Sequence, residues 1–141
     1  MCKARRAVGG MTEGRRFLLL VGCVAIAATP STAAARVPVI GNDGPDTDAC
    51  GGIGRTFTME ELLIVYDEPD QYARKKGGLP TSTLVWLCEA ADEWQGIVYP
   101  TGEFQDLGDC RVSTPVATPR AYEGPCEYGW VMASNLNLTT Q

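Results

Sequence analysis

The sequence predicts a small all-β domain, a barrel or sandwich whose core is supplemented by disulfides. Three observations carry that expectation. Short runs of apolar, β-branched and aromatic residues recur between breaks rich in Gly, Pro and Asp. Helix signals are few. Four cysteines, Cys50, Cys88, Cys110 and Cys126, follow a segment that reads as an export leader.

That leader comes first in the chain. Lys3, Arg5, Arg6, Arg15 and Arg16 make the start basic, opposed only by Glu13, and Phe17 to Ala28 is apolar apart from Gly22. Thr29-Pro30 and small residues follow, with Ala33 and Ala35 in Ala-x-Ala spacing. Basic, apolar and small in that order is the pattern of a secretory signal peptide. A bilayer-spanning helix needs roughly 20 apolar residues, which this run does not reach. Residues 1–35 are therefore expected to be a cleaved signal, and the protein to be secreted or periplasmic. Leu20-Val21-Gly22-Cys23 offers a lipoprotein alternative through Cys23, but it leaves the second half of the apolar run without a use.

Beyond residue 35, seven Lys and Arg face sixteen Asp and Glu, a formal charge of −9. Nucleic acid and anionic membrane surfaces both demand a basic face, so neither is an expected partner. No integral membrane span is expected in the mature chain.

An even set of cysteines in an exported chain reads as a disulfide framework. A zinc site is disfavoured: no two of the four have Cys-x-x-Cys spacing, and the chain has no histidine. No metal or cofactor is expected. Four cysteines allow three pairings, and spacing alone does not choose among them. Cys50–Cys88 with Cys110–Cys126 is favoured, because each bridge then ties a loop-rich segment to a nearby predicted strand.

Element by element, residues 36–49 ("GNDGPDTDA" within them) read as a flexible lead-in with little to bury. Cys50-Gly51-Gly52-Ile53-Gly54 lacks the lysine of a phosphate loop and is read as a turn into the first strand. Leu62 to Tyr66 suits a buried strand stopped by Asp67-Glu68-Pro69, although Thr58 and Glu61 could cap a short helix over 58–63. Asp70 to Ser82, with Arg74-Lys75-Lys76, is read as a solvated loop. Thr83–Cys88 and Glu93–Tyr99 are the strongest strands, a hairpin turning at Ala90-Ala91-Asp92. Alternation places Val85 and Leu87 on one face, Trp86 and Cys88 on the other, and sends Trp94 and Ile97 to opposite faces unless a bulge intervenes. Residues 100–125 are irregular and proline-rich, the kind of long loop that must be pinned or functional. Gly129–Met132 and Leu136–Leu138 close the pattern, with a tight turn at Ser134-Asn135.

These pieces resemble a known arrangement. Gly129-Trp130-Val131, with Leu136 five residues on, resembles the closing motif of bacterial SH3-like domains. Leu63 to Pro69 resembles their early strand and turn, with Tyr66 where an arginine is usual, and Leu79, Val85, Trp94 and Ile97 fit the hairpin that follows. From about residue 48 to 138, the order of motifs and cysteines is similar to small exported bacterial proteins described as SH3 domain-containing or integron gene cassette proteins. Arg111 stands where a glycine is usual after the cysteine, and Asn135 where a groove tyrosine is usual. The resemblance implies a small SH3-like barrel of about five short strands over residues 50–141, with a long disulfide-pinned loop. It also implies an exported binding module for peptide or cell-wall-derived ligands.

Catalysis is not expected. Without histidine there is no Ser–His or Cys–His pair, and the adjacent carboxylates Glu60-Glu61 and Asp92-Glu93 read as solvated charge. The expected ligand groove is Tyr66, Asp67, Glu68, Tyr72 and Trp130, with Trp94 a further aromatic and Asp70 a further acid. Its aromatic surface and carboxylates favour a basic peptide. Core packing competes as the role of both tryptophans. The alternative function is a secreted, disulfide-stapled inhibitor or interaction protein acting through loop 100–125.

Overall fold

Nine short strands organise the described residues, 34–102 and 105–139, of the computed structural model. They are β1 (Val39–Ile40), β2 (Gly52–Thr56), β3 (Leu63–Tyr66), β4 (Lys75–Leu79), β5 (Leu84–Ala91), β6 (Trp94–Tyr99), β7 (Arg120–Ala121), β8 (Glu127–Met132) and β9 (Leu136–Leu138). Seven form one antiparallel sheet in the order β4-β3-β8-β6-β5-β2-β9, and β1 pairs with β7 in a separate ribbon. The domain is all-β. The edge strands β4 and β9 do not pair with each other, so the sheet is not closed into a barrel. Among the described residues no helix is long and apolar enough to cross a membrane. The expected leader lies outside the described residues except for Ala34 and Ala35.

The β5–β6 hairpin forms as its alternation predicts, but its turn sits later. Pairing continues to Ala91 opposite Trp94, and Asp92-Glu93 make the turn, with Asp92 at φ 53°. Aspartate tolerates that left-handed conformation better than most residues, which makes Asp92 the natural corner. A register shift between Leu87 and Glu89 places a bulge at Cys88.

Two faces of one sheet each carry a core. Leu63, Val65, Leu79, Val85, Ile97, Tyr99 and Val131 pack on the inner face, with Leu87 and Leu136 beside them. Trp86, Cys88 and Val98 point the other way and meet Ile40, Ala49, Cys50, Cys110, Val112, Tyr122 and Cys126. The split of Val85 from Trp86 follows the two-residue period of a strand. Gly129 lets β8 approach β3: a Cβ there would lie 2.3 Å from Val65 Cγ1 and 2.8 Å from the Tyr66 carbonyl oxygen.

Both disulfides have the favoured pairing, Cys50–Cys88 and Cys110–Cys126. Hydrogen bonds tie the two bridged pairs to each other. Cys50 N–H donates to Val112 O at 3.2 Å, Ala49 N–H to Thr114 O at 3.2 Å, and the Trp86 indole to Leu107 O at 2.9 Å.

Two expectations are corrected and one alternative is decided against. Residues 36–49 are not a flexible lead-in: Ile40 and Ala49 are buried, and β1 pairs with β7. The pattern misled because its few apolar residues pack on a loop core that has no periodicity. Asp70 to Ser82 is not all loop, since Lys75–Leu79 forms edge strand β4 against β3. An edge strand tolerates lysines and glycines that a central one would not. The helix over 58–63 does not form. Thr58 Oγ1 instead accepts the Glu60 N–H at 3.1 Å, and Thr81 Oγ1 bonds both the N–H and the carbonyl of Thr58 at 3.0 Å. The closing segment agrees with expectation, with a single 3-10 turn, Ala133–Asn135, between β8 and β9.

Candidate functional site

Of the residues expected to form a groove, Tyr66 and Trp130 come from neighbouring strands and Asp67, Glu68 and Tyr72 from the turn after β3, but they do not share one surface. Tyr66, the last residue of β3, stands opposite Trp130 of β8 in the sheet register. Trp130 is fully buried. Arg36 to Pro38 lie over it: its indole N–H donates to Arg36 O at 2.8 Å, and the Arg36 guanidinium sits 4.8 Å from its ring centroid. Trp130 is therefore core, and lines no open groove while residues 36–38 cover it. Asp67 is also withdrawn. Its side chain is only 6% exposed and accepts from Arg74 Nε at 2.8 Å, so its charge is already matched.

The remaining residues separate again. Tyr66 is half-buried and packs edge-on against Trp94, with ring centroids 5.4 Å apart and planes at 85°. That contact shapes the position of Trp94, in the geometry aromatic pairs prefer. Glu68 is half-buried and lies outside the cavities beside it. Tyr72 is 87% exposed, on the turn after β3, with its N–H bonded to Asp70 Oδ1 at 2.7 Å.

Two adjoining cavities surround Trp94. One, of about 350 Å³, is lined by Pro69, Asp70, Gln71, Tyr72, Glu93, Trp94 and Met132. The other, of about 410 Å³, is lined by Arg36, Pro69, Ala91, Asp92, Glu93 and Trp94. Pro69, Glu93 and Trp94 belong to both. Together they make a cleft between the β3–β4 turn and the β5–β6 hairpin end. Pro69, Tyr72, Trp94 and Met132 give it apolar and aromatic surface, and its polar lining carries the carboxylates of Asp70, Asp92 and Glu93 against the single cation of Arg36. Such a surface can hold an extended chain against flat rings and attract positive charge.

The sequence reading singled out Tyr72 and Trp94 but missed Pro69, Glu93 and Met132. Pro69 and Glu93 each carried a signal, being turn residues next to strands that the sequence predicts. Met132 carried none, because only the β6–β8 register puts it opposite Trp94. A larger cavity, about 510 Å³, lies between Asn42, Asp43, Gln95 and Leu138 and holds no aromatic ring. Among the described residues no cluster of potential metal ligands occurs. No protein-family model, curated protein or solved structure matches the chain.

Proposed function

We propose that the protein is an exported, non-catalytic SH3-like binding module. Its ligand is a basic extended peptide, free or carried on a cell-wall component, held in the cleft of Pro69, Asp70, Tyr72, Glu93, Trp94 and Met132. The supporting observation is the continuity of the two cavities through Trp94, which joins an aromatic wall to three carboxylates. Two disulfides are consistent with an extracellular or periplasmic address. Ion pairs at this open rim are each worth about 0.2–1 kcal/mol and weaken with salt, so the aromatic wall supplies the larger share of affinity.

The test is a pull-down from the native envelope, followed by titration of the recovered ligand. Tyr72→Ala is expected to weaken binding by about tenfold or more, while shifting stability by no more than about 0.5 kcal/mol, since the ring is exposed. Unchanged affinity in both Tyr72→Ala and Trp94→Ala would eliminate the cleft. The second reading is an inhibitor acting through loop 100–125. One observation favours it: Ser113 to Ala121 is almost wholly exposed, yet anchored at both ends by buried Val112 and Tyr122. Tight binding to one protein, lost when this stretch is cut, is its signature.

A further inference from the structure

Arg36, Val37 and Pro38 cross the face of β6 and β8 as an extended strap. Each of its contacts is of a kind used to hold a bound peptide. The guanidinium of Arg36 lies between the Trp130 ring and the Glu89 carboxylate, with which it forms an ion pair. The second oxygen of Glu89 accepts the Val39 N–H at 2.7 Å. The strap backbone is held at both ends, by Arg36 N–H to Asp67 O at 2.9 Å and Tyr122 N–H to Pro38 O at 3.0 Å. Pro38 fills the space that Gly96 leaves open: a Cβ on Gly96 would fall 2.9 Å from Pro38 Cβ and 3.2 Å from Trp130. A carboxylate, an indole face and a glycine-floored hole thus read arginine and proline two residues apart.

We propose that Glu89, Gly96 and Trp130 form a cradle for an arginine-bearing extended peptide, and that the chain's own Arg36–Pro38 occupies it in cis. The cradle borders the cleft, because Arg36 also lines the cavity shared with Trp94. Its three residues are separate from those of the cleft, so a Glu89 substitution tests the cradle and a Tyr72 substitution the cleft. The strap runs directly into β1, whose Val39 and Ile40 pair with β7. A tether that short keeps its effective concentration on the order of millimolar, enough to exclude a peptide with the same contacts. Arg36 keeps 47% of its side chain exposed whereas Pro38 is fully buried, so competition starts at the arginine. Releasing the strap raises the fraction of molecules able to bind in trans, and apparent affinity rises in proportion.

The probe is the peptide acetyl-Ala-Arg-Val-Pro-Val-Ile-amide, which repeats residues 35–40. It is titrated into wild type and into Arg36→Ala/Pro38→Ala, following the Trp130 indole N–H resonance, with both disulfides confirmed by peptide mapping. The double variant is expected to bind at least about tenfold more tightly than wild type. The indole signal should return toward its wild-type position at saturation, and Glu89→Gln added to the double variant should abolish the gain. Equal affinity in wild type and double variant, or binding to neither, overturns the proposal. So does a gain that survives Glu89→Gln, or a wild-type dimer with exchanged straps. If the double variant loses its folded signature, Arg36→Ala alone, a change at a half-exposed side chain, serves with the same outcomes. Tyr72→Ala should leave this titration unchanged, which separates it from the cleft.

Discussion

The two faces of the central sheet are covered in different ways. On the inner face, Val65, Val85, Ile97 and Val131 come from alternating positions of regular strands and pack on one another. On the outer face, Trp86, Cys88 and Val98 are strand residues too, but what covers them is mostly irregular chain, Ala49, Val112 and Tyr122, with Ile40 from the two-residue strand β1. A strand satisfies its backbone through the ladder, and its side chains then pack as a consequence. Loop chain lying on a core must find individual partners for its buried polar groups. Here they are the Ala49–Thr114 and Cys50–Val112 backbone bonds, the Trp86–Leu107 bond and the hydroxyl of Tyr122. Both disulfides lie in this second core and none in the first. Cross-links are placed where regular pairing is lacking.

The strongest way to break the comparison is to remove the bridges. In the loop-entropy picture, Cys50–Cys88, spanning 38 residues, contributes about 4 kcal/mol, and Cys110–Cys126, spanning 16, about 3 kcal/mol. Reduction is expected to lower the melting temperature sharply. Hydrogen exchange should show protection lost first over residues 36–50 and 105–126 and last in β6 and β8. Simultaneous loss everywhere would mean that the two cores are one cooperative unit.

A matched pair of substitutions sharpens it. Ile97 and Ile40 are both buried, one in each core. Ile97→Ala is expected to cost about 3–4 kcal/mol, because the surrounding strands cannot close the cavity. Ile40→Ala should cost about 2 kcal/mol, since the two-residue strand β1 can shift into the space. Denaturant unfolding of the two variants gives the comparison directly, and equal costs would show that the loop-built core is as unyielding as the sheet.

Tyr122 tests the polar pins. Its hydroxyl donates to Cys110 O and accepts the Cys126 N–H, each at 3.0 Å, so it spans the residues that the disulfide joins. Tyr122→Phe keeps the ring and leaves both backbone groups without that partner, an expected loss of about 1–3 kcal/mol in chemical denaturation. A loss below about 0.5 kcal/mol would mean the bridge alone holds the loop.

The smallest effect at ordinary pH concerns the inner core. Burial, with the Glu127 carboxylate adding to it, pushes the Tyr99 hydroxyl up to about 12, against about 10 in an unfolded chain. The folded state holds this proton more tightly. Its contribution is therefore intact below pH 10 and lost as pH rises through about 12. Tyr99→Phe should flatten the fall in stability across that interval, measured by urea midpoints at stepped pH.

Much of this was legible in the residues. Alternation in residues 83–99 gives the hairpin and the opposite faces of Val85 and Trp86, because strand geometry has a period of two wherever it occurs. The Gly129–Leu138 segment announces its own strand, turn and strand. An even cysteine set after a leader-like start indicates bridges, and the pairing favoured from nearby strands is the one that forms. In the candidate site, Tyr72 and Trp94 were visible as aromatics beside turns, and Asp70 as an acid beside them.

What only the tertiary structure decided depends on contacts between residues far apart in the chain. Nothing local distinguishes Trp130, buried under residues 36–38, from Trp94, left at a cleft; the difference is made by a segment more than ninety positions earlier. Asp67 reads as an exposed turn acid until Arg74 is found beside it. Residues 36–49 and 105–126 have no apolar period because their regular elements are only two to four residues long, and their burial comes from being pinned onto a face of the larger sheet. Composition and periodicity report on what a residue does with its near neighbours. Which surface stays open is settled by which distant segment comes to lie on it.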